Sequence, residues 1–167
     1  DSSSIIRHLE KIEIEPKLLP ENLKEASQVQ IIENWADTTL AKSIKIVFLE
    51  ELSKNPKLIS SLFSNKISDS MQKPLFNIPT KIASKISGLI NQKEKESLKL
   101  NLENLSNLIN QENFLIGDKL SIADISVASH LSLLKFPNSS GENLTGQGCS
   151  IYAVSYTHLT LPTSGGV

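Results

Sequence analysis

Across residues 21–52 the apolar side chains Leu23, Ala26, Ile32, Trp35, Ala36, Leu40, Ile44, Val47 and Phe48 fall mostly three or four positions apart. That spacing lays one apolar stripe along a helix. At ~1.5 Å of rise per residue the helix measures roughly 45 Å. A rod of that length cannot cover its stripe alone, so the rest of the chain must supply partners. It supplies helices. No strand-like alternation persists between positions 21 and 135, and the sequence predicts an all-α domain.

The punctuation around the long helix agrees. Asp1-Ser2-Ser3-Ser4 offers capping residues ahead of Ile5, Ile6 and Leu9, a short helix ended before Pro16. Pro16 and Pro20 make positions 13–20 a linker, because the residue before a proline avoids the α region. Asn55-Pro56 restarts a helix with a capping residue and a proline at the first helical position, followed by Leu58, Ile59, Leu62 and Phe63. Positions 64–79 are polar and proline-bearing and read as a loop or a frayed helix. Ile82, Ile86, Leu89 and Ile90 mark one further helix, and Leu98, Leu102, Leu105 and Ile109 another. The charges of Lys93-Glu94-Lys95-Glu96 read as a solvated face.

Composition narrows the function classes. Seventeen basic residues against eighteen acidic ones leave a net charge of −1, no basic excess to hold a polyphosphate, so nucleic-acid binding is disfavoured. No uncharged apolar stretch reaches about 18 residues, which argues against a membrane span. The single cysteine, Cys149, excludes an internal disulfide framework and points to a cytoplasmic, reducing compartment. His8 and His130 stand without metal-ligand spacing around them and read as structural or exposed, so no metal is expected.

The sharpest local signal is Phe114-Leu115-Ile116-Gly117-Asp118-Lys119-Leu120-Ser121-Ile122-Ala123-Asp124-Ile125. Ser121 and Asp124 have the spacing of a capping box, with Leu120 and Ile125 placed as its hydrophobic staple. The Asp124 carboxylate then sits at the positive end of a helix that carries Ile125, Ala128, Leu131 and Leu134 inward until Pro137. Removing Asp124 is worth 1–2 kcal/mol on the order of a lost cap.

This string resembles the capping-box and staple motif of the C-terminal helical domain of the cytosolic glutathione S-transferases. Asp1-Ser2-Ser3-Ser4-Ile5-Ile6-Arg7-His8-Leu9 resembles the acidic-Ser motif that closes the family's thioredoxin-like domain, and Leu18-Leu19-Pro20-Glu21 its linker. The resemblance implies a division into positions 1–12 (the end of a thioredoxin-like domain, reduced to its last helix), 13–20 (linker), 21–150 (helical domain) and 151–167 (a non-native tail). It implies a glutathione transferase, cytoplasmic and homodimeric, that conjugates or reduces small electrophiles with glutathione as co-substrate. Asp1 and Ser2 would then grip the γ-glutamyl end of glutathione, and Trp35 and Asp37 would line the substrate pocket or the interface. The catalytic Tyr, Ser or Cys belongs to the part of the family's first domain that the chain lacks. The alternative is a non-catalytic relative serving as a scaffold, since fold does not dictate function. Cys149 has no activating helix end or base beside it in the sequence.

The end of the chain is of another kind. Val154-Ser155-Tyr156-Thr157-His158-Leu159-Thr160-Leu161-Pro162-Thr163 resembles a translated sequencing adapter, so it is expected to add nothing to the fold. The Lys-, Ile-, Asn- and Ser-rich remainder, with Arg7 as its lone arginine, fits an AT-rich marine microbial genome such as a cyanobacterium's.

Overall fold

The computed structural model describes residues 2–12, 17–63, 92–109, 113–142 and 144–149. Asp1, part of the linker, the helix expected around positions 82–90, the loop at 64–79 and the tail lie outside the described residues. Those described form six α-helices: α1 (Ser2–Glu10), α2 (Leu23–Trp35), α3 (Ala41–Lys54), α4 (Pro56–Phe63), α5 (Gln92–Ile109) and α6 (Ile122–Leu131). No strand occurs among them, and the expected all-α class is what is found.

The long helix runs unbroken from α2 into α3, but through a π turn at Ala36–Leu40. Asn22 starts it, its Oδ1 accepting the N–H groups of Lys24 at 2.9 Å and Glu25 at 3.4 Å. Within the turn the Ala41 N–H reaches back to the carbonyl of Ala36, five residues away rather than four. The widened turn lets two consecutive residues, Leu40 and Ala41, face inward together, both buried. The stripe continues as Ile44 and Val47. Leu23, assigned to that stripe, is instead 85% exposed at the first helical position, where no described element covers it.

α6 packs against α2 and the π turn, and α5 against α3. Val29, Ala36, Leu40, Ile44 and Val47 of the long helix meet Leu98, Leu102 and Leu105 of α5 and Ile122, Ala123 and Val127 of α6 in one core. The heptad-like spacing of the three α5 leucines puts them all on the inner face. Burial of these side chains, at about 25 cal/mol per Å² of apolar surface, is what holds the helices together. The charge patch on α5 is not merely solvated. Glu94 bonds Lys42 and Ser43 of α3, both at 3.2 Å, and Lys95 meets Glu50 at 2.8 Å. Burial disfavours the charge on Glu50, but hydrogen bonds from Lys54 and Lys95 outweigh it and hold its carboxyl below the usual range.

Positions 17–20 are fastened rather than loose. Glu10 Oε1 accepts the N–H groups of Leu18 and Leu19, and the Leu18 carbonyl accepts the N–H of Ile122 at 3.1 Å. Asn55 caps α4 as expected, accepting the Leu58 N–H at 3.2 Å. Beyond α6 the chain turns back on itself: the Phe136 N–H donates to Gln147 and the Gly146 N–H to Phe136, at 2.8 and 2.9 Å. Phe136 then meets Phe48 edge to face, 6.1 Å between centroids, and Cys149 closes the core.

Candidate functional site

The helix that carries the core stripe carries a second one on its outer side. Ser27, Gln30, Ile31, Asn34, Trp35, Thr38 and Thr39 line an open groove of about 500 Å³. Their spacing of three, one, three, one, three and one is the helical repeat, so the groove is a property of α2 and the π turn. None of the seven carries a charge. Ser27 Oγ donates to the Leu23 carbonyl at 2.7 Å and Thr38 Oγ1 to that of Asn34 at 2.6 Å. Both hydroxyl protons are therefore engaged by the helix itself. The rest of the lining joins the polar, exposed Gln30, Asn34 and Thr39 to Ile31, 69% exposed, and the half-buried Trp35. Trp35 packs on the core with one side and lines the groove with the other.

Asp37 does not line the groove. It leaves the π turn toward α6, where its Oδ1 accepts from Ser126 Oγ at 2.9 Å and bonds His130 Nε2 at 3.0 Å. The hydrogen bond from His130, with smaller help from Ser126 and Lys45, outweighs partial burial and lowers the Asp37 carboxyl below its ordinary value of 3.8. His130, read as a lone residue, is thus half of an ion-pair contact. The arrangement is not that of a nucleophilic triad, because both Ser126 and His130 turn to the same carboxylate oxygen.

The capping box closes as expected. Asp124, buried at 4% exposure, takes the Ser121 N–H and the Ser121 Oγ on Oδ2, at 2.8 and 2.7 Å. Its Oδ1 takes the N–H of Leu115 at 2.8 Å, which ties the preceding loop to the helix. One member of the motif departs from its assigned place. Ile125 is 37% exposed rather than inward; α6 buries Ile122, Ala123, Asp124 and Val127 instead, since the carboxylate, not the staple residue, faces the loop.

Cys149 is buried, and its thiol is pushed up to about 12, chiefly by burial and further by Glu51 and Glu50. It has neither the access nor the lowered pKa of a reactive cysteine. No group of three His, Cys, Asp or Glu side chains able to hold a metal is found among the described residues, and no described helix is long and apolar enough to cross a membrane. Ser2 opens α1; with Asp1 outside the described residues, the acidic-Ser pair has no geometry to report.

Comparison with known proteins follows the same line. Residues 82–145 match the model of the glutathione S-transferase C-terminal domain. The described part of that match, with α5 and α6, is helical throughout its regular structure, which is consistent with such a domain. The chain is also similar to FtsZ-localized protein A of Caulobacter vibrioides, 23% identical over 136 residues. That alignment takes in 81% of the chain and 50% of the relative, so the chain spans half the length of the curated relative it matches. No solved structure matches.

Proposed function

We propose that this domain is the substrate-facing half of a glutathione-dependent transferase, with α2 and the π turn forming the wall that receives a small apolar electrophile. The observation that carries the reading is the uncharged groove beside Trp35 and Ile31. An electrophile offered to a thiolate is commonly aromatic or unsaturated, and it gains by leaving water for an aromatic and an aliphatic side chain. Activation of the thiol requires a group that lowers its pKa, which the resemblance places in a thioredoxin-like domain. Asp1 and Ser2 are the contribution of positions 1–12: a carboxylate for the ammonium of glutathione, and donors at a helix N-terminus for its carboxylate.

Trp35 is the sole tryptophan of the chain, so its fluorescence reports the groove directly. Titration with a chlorodinitrobenzene is expected to quench it saturably, and Ile31→Glu to weaken that binding about tenfold by placing a charge beside the aromatic ligand. Unsaturable quenching, equal in both proteins, would remove the groove from the account.

A second reading, a non-catalytic scaffold, is favoured by the similarity to a protein named for its localization with FtsZ. In that case the same groove docks a protein segment. Binding of purified FtsZ that Ile31→Glu abolishes, without electrophile quenching, would select it.

A further inference from the structure

We propose that Asp37, Ser126 and His130 form a proton-dependent clasp that holds the π turn against α6 and so fixes the Trp35 end of the groove. The three residues come from two elements. Asp37 lies inside the π turn, and Ser126 and His130 are four residues apart on α6, one turn above the other, so a single carboxylate oxygen receives both at 2.9 and 3.0 Å. A π turn replaces ordinary helical hydrogen bonds by wider ones, and such turns persist where the surroundings compensate. Here the compensation comes from the apolar seat of Ala36 and Leu40 below and from the clasp beside it.

The clasp depends on charge. A neutral imidazole can still donate from Nε2, but only a protonated one adds the attraction between opposite charges. The other groups around Asp37 do not replace it. Lys45 of α3 acts on Asp37 from a distance and more weakly than His130. Lys42 is engaged by Glu94, Asp124 is bound within its own cap, and Glu33 of α2 is buried. Because the folded carboxyl is lowered, its contribution is present above 3.8 and is lost as the pH falls through the lower folded value. The attraction also requires a charged imidazole, so a neutral His130 leaves only the hydrogen bond. The contact is therefore tightest when both partners are charged, and it stands whatever the groove binds.

The test uses the full chain, with melting temperature and Trp35 emission measured at pH 5.5 and pH 8 for wild type, His130→Gln and Asp37→Asn. His130→Gln keeps a neutral donor and removes only the charge. At pH 5.5 both variants are expected to melt about 1–3 °C below wild type, as a partly exposed ion pair allows, and the His130→Gln gap is expected to close at pH 8. Wild-type Trp35 emission is expected to shift between the two pH values and that of either variant to stay fixed. Gaps independent of pH, or wild-type emission identical at both, would overturn the clasp.

Discussion

Asp124→Ala is expected to lower the stability of the domain by about 3–5 kcal/mol, since buried donors left without an acceptor cost about 1–3 kcal/mol each. A lost helix cap by itself is worth only about 1–2 kcal/mol. The structure raises it because the carboxylate serves three donors, the N–H groups of Leu115 and Ser121 and the Ser121 hydroxyl, at a site only 4% exposed. Two of those donors are backbone and cannot turn to water without opening the loop at 113–120. In a domain of this size the loss corresponds to roughly 10 °C in Tm. Ser121→Ala acts through the same contacts, so the double variant should lose less than the sum of the two. Urea denaturation checks both, and a midpoint unmoved by Asp124→Ala would contradict the assignment.

Gly148→Ala is expected to cost about 2–4 kcal/mol, the sum of a disfavoured backbone conformation and a steric clash. Gly148 has φ +132°, and a Cβ built there would stand 2.5 Å from the Leu134 carbonyl oxygen and 2.8 Å from its carbon. Both atoms are backbone in the turn that follows α6, so relief requires the returning segment of chain to move, and Cys149 with it. Gly141, at φ +90° with nothing within 4 Å, is the matched control: alanine there meets only the backbone cost, about 1 kcal/mol. Besides the melt, the thiol reports the change. Cys149 is 2% exposed and its pKa is pushed up to about 12, so it should resist a thiol reagent at pH 8 in the wild type and react faster in Gly148→Ala. Equal melting of the two glycine variants would contradict the packing at Leu134.

These features differ in how far they could be read from the chain. The Ser121/Asp124 box, the Asn55-Pro56 start and the leucines of α5 were legible because each is a local pattern, fixed by spacings of one to four residues. The π turn was not. Ala36-Asp37-Thr38-Thr39-Leu40 has no residue that excludes an ordinary α turn, and its widening is set by how Leu40 and Ala41 seat against α6 and α5. The contacts Asp37–His130 and Ser43–Glu94 join residues 93 and 51 positions apart; a charge pattern along one helix carries no information about a partner on another. For the same reason Ile125 and Leu23 were assigned to the core by periodicity, which says which residues share a face but not where the covering helix stops. The groove lay in the sequence as a stripe of polar residues around Trp35 and Ile31, and only the exposure of Ile31 distinguishes it from a plain solvated face.

The reading of this chain as half of a glutathione-dependent transferase is tested most directly by calorimetry of glutathione with the gene product read upstream of Asp1, through the thioredoxin-like domain the resemblance implies. The account predicts saturable binding in the wild type. It predicts that Asp1→Ala weakens that binding about ten- to a hundredfold, the equivalent of one charge-assisted hydrogen bond of roughly 1.5–3 kcal/mol. Equal affinity in the two proteins would remove Asp1 from the site, and no affinity in either would contradict the transferase reading.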